Sequence, residues 1–300
     1  MIRVGTCSWA DESFVKAYYP PGVDRLRYYA QRFDVVEANA TYYRMPEEAL
    51  VAQWAGKLPD GFVMHVKAFG LMTRHPVKVA ALPEDLRGEV PVDDRGRVDR
   101  PPAELREEVF RRFMTALEPL CEAGKLGGIL MQMAPYVVPK QSSYDYLAWA
   151  REQLGSHTML VEFRHKAWFE QAEQTLDFLE GHGMTYVTVD TPVFPVVVAR
   201  TGPDAYVRFH GRNRDTWYKR TGSTAERFDY LYSETELADW ACTLRELAAE
   251  GAENVYAMFN NNGRSAAADA PKHLVGEPVG EHVAQAPTNA ATLKALLEQG

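Results

Sequence analysis

A (β/α)8 barrel is the fold this sequence predicts, and three observations point to it. Strand-like apolar runs alternate with helical patterns nearly from end to end, which implies parallel strands joined by right-handed crossovers. About eight such units in 300 residues fit a closed barrel. Polar residues end nearly every run, as expected where all strand ends converge on one rim. The competitor is an open doubly wound sheet, and against it neither G-x-G-x-x-G nor G-x-x-x-x-G-K-[ST] follows any strand.

The strands are read at Ile2–Ser8, Asp34–Asn39, Phe62–Ala68, Gly127–Met133, Thr158–Arg164, Met184–Asp190, Ala205–His210 and Asn254–Asn260. Helical periodicity covers Asp24–Arg32, Pro46–Leu58, Ala103–Ala123, Ser143–Gln153, Lys166–Gly181 and Glu234–Glu250. Ser233 with Glu236 forms a capping-box pattern ahead of the last of these. Gly124, Gly155, Gly181 and Gly251 fall where helix stops are expected. The barrel is irregular where long loops follow strands three and seven. Phe69–Pro102 is a Pro-, Arg- and Asp-rich insertion, and Gly211–Ser233 is aromatic and basic. Residues 1–300 read as a single domain, with 275–300 a polar tail carrying a short closing helix.

Composition is that of an ordinary soluble globular protein. No apolar stretch approaches the roughly 20 residues that span a bilayer, and the chain opens on a strand rather than a signal sequence. A net charge of −8 disfavours nonspecific nucleic-acid binding. Three scattered cysteines without metal-ligand spacing suggest a reducing cytoplasm, with Cys121 and Cys242 buried in helices.

Four strands end in a triplet of two polar residues around one hydrophobic: Glu37-Ala38-Asn39, His65-Val66-Lys67, Glu162-Phe163-Arg164 and Arg208-Phe209-His210. Alternation puts the outer members of each triplet on one face. Charge on an otherwise apolar face costs several kcal/mol per unpaired ion, by order of magnitude, unless something binds it. Gln132, Asp190 and Asn260 join the same inward set, while Ala38, Val66, Met131, Phe163, Val189, Phe209 and Phe259 pack outward under the helices. The bland alternative is an ion-pair layer, Glu37 with Lys67 or Glu162 with Arg164 and Arg208, that only fills the barrel mouth. His65, one layer deeper, reads as a core histidine. Trp9, Trp168, Trp217 and Tyr218 are candidates to line a pocket, although Trp168 equally suits helix packing.

The same residues carry a family resemblance. Gly5-Thr6-Cys7-Ser8-Trp9, Val36-Glu37-Ala38-Asn39-Ala40-Thr41-Tyr42-Tyr43-Arg44, Gln132-Met133-Ala134-Pro135, Val161-Glu162-Phe163-Arg164-His165-Lys166-Ala167-Trp168, Tyr206-Val207-Arg208-Phe209-His210-Gly211 and Val255-Tyr256-Ala257-Met258-Phe259-Asn260-Asn261 resemble the DUF72 (YecE-like) family. The match runs from Gly5 to about Asn261. It implies a TIM barrel and leaves the biochemical activity unassigned. Ala40 stands where the family has Ser or Thr, and the segment Gly263-Arg264-Ser265-Ala266 lacks an expected asparagine.

Read as chemistry, the set describes a small-molecule enzyme for an anionic (phosphate or carboxylate) or polyhydroxylated substrate. Glu37, Glu162, Asp190 and His210 are the acid–base candidates. Asn39, Lys67, Gln132, Arg164, Arg208, Trp217, Tyr218, Asn260 and Asn261 would bind substrate, the arginines by bidentate contacts. No cofactor motif is present. One alternative is a divalent-metal phosphodiesterase or nuclease, with Glu37, Glu162, Asp190 and His210 as ligands, although the neighbouring cations weigh against it. The other is a non-catalytic nucleotide- or nucleic-acid-binding module using the run Arg212–Arg220.

Overall fold

The computed structural model describes residues 1–88, 90–217, 227–266 and 281–299. Eight parallel strands close in chain order into a barrel: β1 (Ile2–Thr6), β2 (Val35–Ala38), β3 (Val63–Lys67), β4 (Leu126–Gln132), β5 (Met159–Glu162), β6 (Thr185–Asp190), β7 (Ala205–Phe209) and β8 (Val255–Phe259). The TIM-type barrel expected from sequence is therefore the fold. The strands stop up to two residues earlier than predicted, which leaves Asn39, Arg164, His210 and Asn260 just beyond strand ends. The helices are α1 (Glu12–Ala17), α2 (Arg25–Ala30), α3 (Glu48–Lys57), α4 (Ala103–Glu122), α5 (Gln141–Gln153), α6 (Ala167–Glu170), α7 (Ala172–Gly181), α8 (Arg214–Trp217), α9 (Glu234–Ala249) and α10 (Gln285–Glu298). A short antiparallel ribbon pairs β9 (Arg264–Ala266) with β10 (His282–Ala284). The chain divides into two compact units, residues 38–185 and residues 1–37 with 186–300.

In residues 38–185, β3, β4 and β5 pair side by side, with Lys67 opposite Leu130 and Gln132 opposite Glu162. Gly127 is needed there. A Cβ at that position would lie 2.6 Å from His65 Cε1, so only glycine lets the buried His65 ring lie against β4. Helix α4 buries Leu105, Val109, Phe110, Phe113, Leu117 and Leu120, a stripe at three- and four-residue spacing. Each such side chain contributes about 1.5–3 kcal/mol of transfer free energy. The helix expected over Lys166–Gly181 is broken at Gln171 into α6 and α7, and the left-handed stop is Gly183 (φ 63°) rather than Gly181. The insertion after β3 is packed against the unit: Phe69, Leu71, Met72, Leu82 and Val98 are buried, and Asp93 accepts from the Arg95 and Arg97 amides.

In the other unit, β1 and β7 both pair with β8 along its full length. A Cβ on Gly5 would sit 2.2 Å from the Val35 carbonyl oxygen, so glycine is what permits that approach. The Ser233–Glu236 capping box opens α9 as its spacing requires. The link 191–204 between β6 and β7 has no helix; instead Thr201 Oγ1 accepts from Tyr186 N and Thr188 Oγ1 donates to Val197 O. The closing helix is more than a tail. Helix α10 buries Ala286, Ala290, Ala291 and Leu293, together with Gln285, Asn289 and Thr292. Cys242 is exposed, contrary to expectation, because the buried stripe of α9 runs through Trp240, Ala241 and Leu244 and one further residue turns away from it. Cys121 is only partly buried.

Candidate functional site

The polar strand ends of residues 38–185 form a half-exposed cluster. Phe163 stacks on Trp168 of α6 at 4.0 Å, so its neighbour Glu162 takes the opposite face. Trp168 is thus a packing residue, with its indole donating to Val137 O at 2.8 Å. Glu162 is fully buried. Gln132 Nε2 donates to its Oε1 at 2.7 Å and Arg164 Nη1 to the same oxygen at 3.0 Å. The Arg164 side chain keeps 16% of its surface exposed. Lys67 places its ammonium 4.5 Å from the centre of the Tyr42 ring, a cation–π contact. Asn39 is half-buried at the start of a 3-10 turn, Ala40–Tyr42, where Thr41 Oγ1 bonds the Lys67 carbonyl at 2.6 Å.

His75, outside every strand-end triplet, also belongs to this cluster. Its ring lies edge-on to Tyr42, centroids 5.1 Å apart, and its Nδ1 is 2.8 Å from Thr73 Oγ1. The single hydroxyl proton of Thr73 goes to Gly70 O, which assigns a proton to Nδ1 and leaves Nε2 with a lone pair. Burial first, then the charges of Lys67 and Arg164, push the His75 pKa down to about 4. Burial likewise raises the Tyr42 phenol to about 12. The signal in the sequence was a histidine eight residues past Lys67, hidden because it lies in an insertion with no periodicity.

In the other unit the charged groups are paired and closed off. Arg208 Nη2 donates to Glu37 Oε1 at 2.7 Å with both side chains at 0% exposure. Tyr206 OH donates to the second oxygen at 3.1 Å, and burial, then the Glu37 charge, holds that phenol protonated. Asn260 Nδ2 donates to His210 Nδ1 at 3.1 Å, so the neutral ring carries its proton on Nε2. Both residues are buried. Asn261, expected to touch substrate, instead donates to Tyr230 O and Asn289 Oδ1, both at 2.8 Å, tying α10 to the segment before α9.

Asp190 corrects the predicted register. It pairs with Phe209 and Val189 pairs with Arg208, so Asp190 lies on the helix-facing side and Val189 on the inward one. There it accepts from Trp240 Nε1 at 3.1 Å and from Arg212 Nε at 3.0 Å. Arg212 in turn reaches Glu236 at 3.0 Å. The error has a physical source: Val-Thr-Val-Asp offers a polar residue at alternate positions on one face, and that face here packs against the polar link 191–204 and α9. Trp217 is buried with its edge toward Phe228; Tyr218, Lys219 and Arg220 lie outside the described residues. Among the described residues, no three His, Cys, Asp or Glu side chains are grouped to hold a metal ion, and no helix is long and apolar enough to cross a membrane.

A family model described as a protein of unknown function, DUF72, matches residues 3–291. The chain belongs to the DUF72 family. It is 32% identical over 289 residues to UPF0759 protein YunF of Bacillus subtilis (strain 168), across 92% of this chain and 94% of that protein. UPF0759 protein YecE of Escherichia coli (strain K12) is 26% identical over 213 residues, across 68% of this chain and 64% of that protein. The crystal structure of a DUF72 family protein from Thermotoga maritima MSB8 matches with a TM-score of 0.73 at 29% identity, over 99% of each chain. One from Enterococcus faecalis V583 gives 0.76 at 23% identity, over 99% of this chain and 96% of that one, a likeness of fold. The DUF72 resemblance read from the strand-end motifs is thus the family assignment.

Proposed function

We propose that this DUF72 protein is a small-molecule enzyme whose substrate carries a phosphate or carboxylate, held at the strand ends of residues 38–185. Lys67 and Arg164 anchor the anion, Gln132 and Asn39 contribute amide contacts, and Glu162 is the acid–base group. The observation that carries this reading is the concentration of positive charge beside His75. Lys67 and Arg164 both bear on a ring already disfavoured as a cation, and Arg164 shares one oxygen of the Glu162 carboxylate with Gln132. An anion placed there relieves repulsion between cations, and arginine supplies planar, two-pronged recognition. Glu37, sealed against Arg208 with both side chains at 0% exposure, and Asp190, on the helix-facing side against Arg212 and Trp240, take structural roles. His210, whose Nδ1 accepts from Asn260, is an acid–base candidate of the other unit considered by itself.

Thermal unfolding in inorganic phosphate, ribose 5-phosphate and citrate tests the reading. A ligand at 100 times its dissociation constant adds about 2.7 kcal/mol of stability. Wild type is expected to show that shift with at least one of the three, Lys67→Ala to lose it, and Arg220→Ala to keep it. No shift with any of the three overturns the reading. Once a turned-over substrate is known, Glu162→Gln is expected to abolish turnover while leaving anion binding measurable.

A further inference from the structure

Tyr43 and Tyr136 are two exposed aromatic side chains of this unit that the anion site leaves unexplained. Tyr43 is 73% exposed and Tyr136 62% exposed, whereas the rings beside them are partly or fully covered. Both connect to the anion cluster. Tyr43 meets Tyr42 edge-on with centroids 5.0 Å apart, and Tyr42 carries the Lys67 ammonium on its face. The Tyr136 hydroxyl donates to the carbonyl of Arg74, the residue before His75. That backbone is unusual: Arg74 is left-handed at φ 65°, a conformation that strains a side-chain-bearing residue. It is held by Tyr136 at its carbonyl and by the Tyr146 ring 5.0 Å from its guanidinium. Tyr146 OH is itself fixed on Met72 O at 2.6 Å.

Exposed tyrosine rings that both bear on Tyr42, the ring under the Lys67 ammonium, are poor packing and good recognition. A ring lying open loses the apolar burial that normally stabilises it, yet it offers a broad flat face with few rotatable bonds to order on binding. Lysine and arginine fix an anionic group, and nearby aromatic faces add affinity for a flat ring on the same molecule. Resting on the anion-site reading, we infer that the ligand is an anion bearing a flat aromatic ring, as in a nucleotide or an aryl phosphate. Lys67 and Arg164 take its charge, and Tyr43 and Tyr136 take its ring.

The test compares affinities by isothermal titration for AMP, phenyl phosphate and ribose 5-phosphate, which share a phosphate and differ in the ring. AMP or phenyl phosphate is expected to bind wild type at least tenfold more tightly than ribose 5-phosphate, about 1.4 kcal/mol. In Tyr43→Ala combined with Tyr136→Ala that ratio is expected to fall near one. Tyr43→Phe with Tyr136→Phe, which keeps the faces, is expected to restore it. Both tyrosines are exposed, so the alanine variants should fold, and a wild-type thermal transition verifies this. Equal affinity of wild type for the three ligands, or a ratio untouched in the double alanine variant, overturns the inference and leaves the anion site standing. Failure of all three, and of inorganic phosphate, to bind removes the anion site as well.

Discussion

An arginine bound to a glutamate marks the strand ends of both units, yet the two pairs live in different surroundings. Arg208 and Glu37 have no exposed surface, a third group, Tyr206, closes on the carboxylate, and the pair is a finished internal structure. Arg164 and Glu162 share one oxygen with Gln132, Arg164 reaches toward solvent, and a lysine and a neutral histidine stand close by. The difference teaches that convergent charge at a barrel rim is of two kinds: charge sealed inside the protein and charge that still meets solvent. Only the second is open to a ligand.

The comparison breaks first at the buried pair. Arg208→Ala leaves Glu37 as an uncompensated buried charge and is expected to cost about 3–5 kcal/mol in urea unfolding. Replacing both partners, Glu37→Leu with Arg208→Met, should cost far less than either single change. Arg164→Ala leaves a partly bonded, buried Glu162, and the expected loss is smaller, about 1–3 kcal/mol.

Acid provides the next test, and it acts on the other unit. The folded pKa of His75 is pushed to about 4 from an ordinary 6.5. The unfolded chain therefore binds the extra proton first, and stability present above pH 6.5 is lost as pH falls toward 4. The loss is at most about 3 kcal/mol. His75→Gln is expected to remove that slope in a series of unfolding curves from pH 7 to pH 4; an unchanged slope would assign the acid sensitivity elsewhere.

Smaller effects sharpen the account. Ser233→Ala removes the capping box of α9 and should lower stability by about 1 kcal/mol in chemical denaturation. Cys242 should react with a thiol reagent in the native state while buried Cys7 does not.

The barrel was legible because its periodicities are strong: apolar runs of strand length, amphipathic stripes such as that of α4, and a capping box each fix one element locally. Most of the inward set followed from alternation, since at β3, β4, β5 and β7 a single face is polar. At β6 that logic failed. Thr188 and Asp190 are polar yet face the helical side, where Val197, Trp240 and Arg212 receive them, and nothing within the strand announces those distant partners. His75 was illegible for a related reason: its role depends on Thr73, Tyr42 and Lys67 meeting across an insertion. Asn261 showed the converse, an amide whose motif position suggests a ligand but whose partner is another asparagine 28 residues on.

The claim that the strand ends of residues 38–185 bind an anion is tested most directly by phosphate-induced thermal stabilisation of Lys67→Ala beside wild type. Lys67 is half-buried at a surface and its loss should cost under about 1 kcal/mol without ligand, so both proteins start from nearly the same transition. Phosphate is expected to raise the wild-type midpoint and to leave that of Lys67→Ala in place. Equal stabilisation of the two proteins would contradict the claim.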